Sequence, residues 1–101
     1  MFLNKYVSNI YLDMIYSNYN NDYLDSLDEY NFIEIYSLFK RYNFYFINDI
    51  ILNYLEIFEM SYDDVDNGII TLKEKLGDNF VYIIGNNMTY LDEILNVSDE
   101  E

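Results

Sequence analysis

The sequence predicts a mainly α-helical protein: a single compact domain of about four to five helices, with at most a short two-stranded β element near residues 43–46 and 80–84. Three observations predict it. Apolar residues recur at spacings of three and four in several separate segments, the period that gathers them on one face of a helix. Ser or Thr precedes those segments with an acid three residues later, a pattern that satisfies the free amides of a helix start. Only one run, Phe80–Ile84, combines aromatic and β-branched residues between turn-forming neighbours as a strand does.

The elements follow in order. Leu3, Val7, Ile10 and Met14, flanked by Tyr6 and Tyr11, predict a first helix from about Leu3 to Asn18. Residues 18–25 are rich in Asn and Asp and predict a loop. Ser26 with Glu29 reads as a capping box, opening a second helix to about Tyr42. Lys40 and Arg41 suit the negative end of that helix. Residues 43–46 read as a short extended piece or a turn. Ile47, Ile50, Ile51, Tyr54, Leu55 and Phe58 predict one continuous third helix. Ser61 with Asp64 starts a fourth, burying Val65, Ile69, Leu72 and Leu76 and ending at Gly77. The strand at Phe80–Ile84 needs a partner, because buried unpaired backbone groups are costly. That partner is residues 43–46 or the same strand of a second copy. Thr89 with Asp92 predicts a last short helix directing Leu91, Ile94 and Leu95 inward. The domain is expected to span residues 1–97, with an acidic tail at 98–101.

Charge is the outstanding feature of composition. Nineteen acidic residues face five basic ones with no His, a formal charge of −14. The 51% apolar and 20% aromatic content is ample for a core, so the charge does not imply disorder. The chain's 14 Asn, 13 Tyr and 13 Ile are residues of A/T-rich codons, which also write Lys. Lys is nevertheless scarce: Lys5, Lys40, Lys73 and Lys75, with Arg41 the one arginine. Nucleotide bias does not explain that shortage, whereas selection for a negative field does. Solubility is served by a net charge of roughly 2–8, and any excess destabilises the compact state through self-repulsion. A cationic partner is the simplest reason to keep it.

The same composition narrows the chemistry. Without Cys there are no disulfides, thiolate nucleophiles or sulfur-bound zinc. Without His the commonest metal ligand and general base are missing. No catalytic motif and no cofactor motif is present, and no enzyme activity is expected. The first residues lack the basic and apolar pattern of a signal peptide, and no stretch approaches 18 apolar residues. A cytoplasmic location is expected, away from membranes whose anionic lipids would repel the chain. Lys73 and Lys75 flank Glu74 and form no basic patch, so nucleic acid is not an expected direct partner.

The acids gather in two groups: Asp22, Asp25, Asp28 and Glu29, then Glu56, Glu59, Asp63, Asp64 and Asp66. Spacings of three and four put carboxylates about 5–6 Å apart on a helical face, a repeat like that of phosphates on a nucleic-acid strand. Tyr23 and Tyr62 sit among them, offering contact area and a hydroxyl at low entropic cost. These eleven residues are the candidate partner-binding set. Residues 63–74 also resemble an EF-hand calcium loop, with Asp63 first, Asn67 fifth, Gly68 sixth, Ile70 eighth and Glu74 twelfth. Val65 occupies the third position, where a ligand oxygen is required. The competing reading is a continuous helix in which Gly68 costs about 1 kcal/mol relative to Ala.

In size, charge, aromatic content and A/T-biased composition the chain resembles the small acidic inhibitors of phages and mobile elements: anti-CRISPR, anti-restriction and DNA-mimic proteins. The resemblance implies a protein that blocks a host or defence nuclease by occupying its basic nucleic-acid groove. It involves no residue motif, so no site residue is carried over from it. Two further classes remain open: an assembly module working through its aromatic surface, as a homodimer or with a partner, and a degenerate calcium-loop module.

Overall fold

The computed structural model describes residues 2–96. Its central element is α3 (Glu29–Arg41), whose Phe32, Ile35, Leu38 and Phe39 form one buried face. Asp28 caps it, accepting the Asn31 amide at 3.2 Å. Ser26, expected in that role, instead closes the short helix α2 (Asn21–Asp25), donating its hydroxyl to the Tyr23 carbonyl at 2.6 Å. Residues 18–25 are thus partly helical rather than a loop, because Asn20 supplies a cap to the Tyr23 amide at 2.9 Å.

Asn43, with φ of 66°, ends α3 in the left-handed conformation that Asn tolerates better than most side chains. The Asn43 amide reaches the Lys40 carbonyl at 3.0 Å, and the Phe44 amide reaches that of Phe39 at 3.0 Å. The Phe44 ring then packs edge-on against Phe39, with centroids 5.0 Å apart. Paired bonds and a hydrophobic contact of this kind form a Schellman stop. Residues 43–46 are therefore a turn, and no strand partner exists there.

The two expected long helices are each broken. A 3₁₀ turn at Phe2–Lys5 precedes α1 (Asn9–Asn18). The break resets the helical phase, so Ile15 is the buried residue of α1, flanked by half-buried Tyr11, Leu12 and Tyr19, while Ile10 and Met14 face outward at 70% and 46% exposure. Helix α4 (Ile47–Asn53) stops at Tyr54, and the chain continues as a 3₁₀ segment, Leu55–Glu59. The Asn31 side chain clasps the end of that segment, donating to the carbonyls of Phe58 and Met60 at 2.7 and 2.9 Å. Two short pieces at an angle bury Leu55, Ile57 and Phe58 against α3, leaving the Ile47, Ile50 and Ile51 row in place.

Helix α5 (Tyr62–Leu76) matches expectation at both ends. The Ser61 hydroxyl accepts the Asp64 amide at 3.2 Å, and Gly77 ends the helix at φ 86°. The predicted strand is instead α6 (Phe80–Asn86), burying Phe80 and Ile84 four residues apart. Five apolar residues fit either period, and without a second strand only a helix closes their backbone bonds internally. No strand occurs among the described residues, so strand pairing across a dimer falls away too. Asn87, rather than Thr89, caps the 3₁₀ turn Met88–Leu91 that leads into α7 (Asp92–Leu95). The predicted acidic tail lies outside the described residues.

Gly68 has a packing role. A Cβ there would meet Ile94 of α7 at 3.0 Å from Cγ1 and 3.3 Å from Cα. The helix-propensity cost of this glycine thus permits the last helix to seat on α5. Gly68→Val is expected to lower stability by about 1–3 kcal/mol through overpacking. Urea unfolding midpoints will measure it, and an unchanged midpoint would mean that Ile94 does not pack closely there.

Candidate functional site

Several of the carboxylates are hydrogen-bonded without being cancelled. Tyr supplies the donors. The Tyr11 hydroxyl donates to Asp49 at 2.8 Å, Tyr23 to Glu59 at 2.6 Å and Tyr42 to Asp66 at 2.7 Å. Each pair ties one element to another across a long sequence separation. By contrast, only two ion pairs occur among the described residues, Lys5–Glu29 at 3.4 Å and Lys75–Glu93 at 3.1 Å. Both are exposed and contribute little. A phenol satisfies a carboxylate oxygen and leaves its charge intact, where Lys would neutralise it.

The acids in turn hold the phenols in their neutral form. Tyr42 is pushed up to about 12 by its hydrogen bond to Asp66, then by burial and by the charge of that carboxylate. Tyr23 is raised strongly, first by burial and then by the bond to Glu59. Tyr11 is raised chiefly by its bond to Asp49, and Tyr54 and Tyr19 chiefly by burial.

The fold brings part of the two acidic groups together. Asp22 and Asp25 are exposed on α2, and Asp28 is exposed at the cap of α3. The Tyr23–Glu59 bond joins this group to the Leu55–Glu59 segment, and Glu56 adds its charge at the same phenol. Asp28 and Glu59 line one cleft of about 280 Å³ with Ser26, Asn31 and Phe58. Glu29 is half-buried beside Lys5. The remainder of the second group turns away. Asp63 and Asp64 occupy the first turn of α5, while Asp66 and Tyr62 face the end of α3. There Tyr42 holds Asp66, and Arg41 donates Nη1 to the Tyr62 hydroxyl at 2.5 Å.

The side chains of Asp22, Asp25, Asp63 and Asp64 make no hydrogen bond or ion pair among the described residues. Asp49 was absent from the sequence-derived set, because nothing local marks a carboxylate that a distant Tyr will hold. Residues 63–74 lie within one continuous helix, so Asp63 and Glu74 stand roughly 16 Å apart along its axis and do not wrap an ion. No group of three or more potential metal-ligating side chains is assembled among the described residues. No helix among them is long and apolar enough to cross a membrane. The chain matches no protein-family model, no curated protein and no solved structure.

Two outcomes follow from this electrostatic arrangement. The fold favours neutral Tyr42, so its contribution is complete below the ordinary phenol value of 10.0 and is lost as pH rises through about 12. Phenolate absorbance and circular dichroism, recorded together, should show unfolding within that window, and stability that stays flat across it would contradict the pairing. Added salt should raise the melting temperature by screening self-repulsion, as the Debye length falls from about 30 Å at 0.01 M to about 8 Å at 0.15 M. A fall in melting temperature would mean that attractive ion pairs dominate.

Proposed function

We propose that this chain is a protein inhibitor that binds and occludes a basic nucleic-acid-binding surface of a host or defence nuclease, as anti-CRISPR and DNA-mimic proteins do. The observation that carries the proposal is the way its acids are satisfied. Phenols hold Asp49, Glu59 and Asp66 between elements without cancelling them, and only two ion pairs among the described residues offset a formal charge of −14. Preset charges on short, capped helices are what a groove built to track phosphates would accept. The exposed Asp22, Asp25, Asp28, Glu56 and Glu59 form the surface that docks, and Asp63 and Asp64 add charge on the first turn of α5. Arginine of the target would engage these carboxylates in bidentate pairs, which add geometry as well as strength. Tyr23 contributes ring area at the same surface. Such a protein acts in the cytoplasm of the cell whose nuclease it blocks, by competition, without catalysis or a cofactor.

Exposed Tyr30, Tyr45 and Tyr82 favour a second reading, an assembly module in which the acids serve only solubility. Salt separates the two. Affinity capture from a host lysate, eluted with a salt gradient, should release a basic nuclease at moderate salt, because charge-steered contacts weaken as counterions compete. Added nucleic acid should displace it. The variant Asp22→Lys/Asp25→Lys/Asp63→Lys should lose at least about tenfold in affinity, roughly 1.4 kcal/mol, while melting near the parent temperature. Asp66 is left out because reversing it would break the bond from Tyr42. A folded triple variant with full affinity, or a partner indifferent to salt, would favour the second reading.

A further inference from the structure

We infer that the outer face of α3 seats an amphipathic helix of the basic partner, running antiparallel to α3. The inference deepens the proposal above and rests on its reading that the partner is basic. Ile33, Glu34, Ser37 and Arg41 of α3 and Tyr62 of α5 line an open groove of about 490 Å³. A smaller depression of about 220 Å³ continues it past Ile33 to Tyr30 and Glu29. Ile33 and the Tyr62 ring provide apolar floor, and Ser37 in the middle is small enough to let a backbone approach. Tyr30 stands 85% exposed at one end. The row from Tyr30 to Arg41 is roughly 16 Å long, about three helical turns.

The charges along the groove are ordered. Glu29, paired with Lys5 at 3.4 Å, opens α3, Glu34 lies near its middle, and Arg41, the chain's one arginine, ends it. The bond from Arg41 to the Tyr62 hydroxyl fixes the guanidinium at the mouth and leaves its other N–H groups for a ligand. An occupant must therefore place cations over Glu34 and the turn before it, and an acceptor or carboxylate over Arg41. A helix does this with acids in its first turn and bases in its last, the arrangement that its own dipole favours. That matches only the antiparallel direction. An extended segment is a poorer occupant, since no sheet edge among the described residues could pair its backbone. A second copy of this chain would bring another charge of −14 and is disfavoured by repulsion.

The test titrates the full chain with a labelled helical peptide of roughly 15 residues. Its Asp lies in the first turn, its Leu residues lie at the i, i+3, i+4 and i+7 spacing of groove-bound helices, and its Lys residues lie in the last two turns. One control keeps the composition and reverses the charge order, and a second replaces Leu with Ser. The forward peptide should bind about tenfold tighter than either control. Amide shifts should centre on Tyr30, Ile33, Ser37, Arg41 and Tyr62. Arg41→Glu should abolish the preference for charge order, and Ile33→Ser should weaken the forward peptide, with circular dichroism confirming that each variant folds. Equal binding of the Ser control would overturn the groove and leave the charged surface standing. Equal binding of the reversed peptide would overturn the orientation, and shifts confined to Asp22–Asp28 would overturn the location. If none of the three peptides binds, the groove fails, while the charge-driven reading is decided separately by the salt-gradient capture.

Discussion

Phe58 is the point on which the fold depends. Its ring stacks on Phe32 with centroids 4.8 Å apart and tilts against Phe39 at 5.7 Å, one and then three helical turns along α3. A ring can serve both only if its backbone lies across α3 at a set height. The Asn31 amide sets that height by holding the Phe58 and Met60 carbonyls. The 3₁₀ geometry of Leu55–Glu59 follows from this clasp, as does the entry of α5 immediately after it. The Phe39–Phe44 contact at the other end of α3 turns the chain into α4. Aromatic pairs of this kind contribute about 0.5–1.5 kcal/mol each beyond their buried area, enough to matter in a small domain.

Around that apolar centre the chain holds itself together with an uncommon balance of polar groups. Interior helix ties would ordinarily include Lys or Arg against acids, and this sequence has almost none to spend. Phenols replace them. A Tyr ring fills the edge of the core, and its hydroxyl reaches the carboxylate just outside it, so one side chain serves both packing and polar satisfaction. The abundance of Tyr, which nucleotide bias alone would supply, is thereby put to structural use. The consequence is a surface whose negative charge is largely uncancelled, with Asp49, Glu59 and Asp66 held in place by phenols.

Helix α3 organises both faces of the molecule. Its inner row makes the core, and its cap at Asp28 borders the acidic cleft shared with Glu59. Its outer row forms the groove that ends at Arg41 and Tyr62. The acidic surface and the groove are therefore held in a fixed relation by one rigid element. In the proposed function the carboxylates supply steering and long-range attraction, and the groove supplies direction and apolar contact, which charge alone does not give.

The sequence by itself determined the helical class, the extent of α5 from its Ser61 cap to Gly77, the apolar row of α4, the end of α3 near Arg41 and the size of the charge. Each depends on neighbours within one or two turns: a cap, a period, a breaker, a count. Only the tertiary structure decided the rest. The run at Phe80–Ile84 fits strand and helix equally, and the Schellman stop at Asn43 removed its one internal partner. Ser26 and Asp28 both suit a cap, and the geometry of α2 assigned the role to Asp28. The breaks at residues 6–8 and at Tyr54 change which apolar residues turn inward, so Ile10 and Met14 surface while Ile57 is buried. Membership of the candidate site was legible as acidic residue type, but its division was not. Glu59 joins Tyr23, and Asp66 joins Tyr42, through hydrogen bonds spanning 36 and 24 residues. Partners that far apart in the chain are chosen by how helices pack, and packing is a property of the whole core rather than of any local pattern.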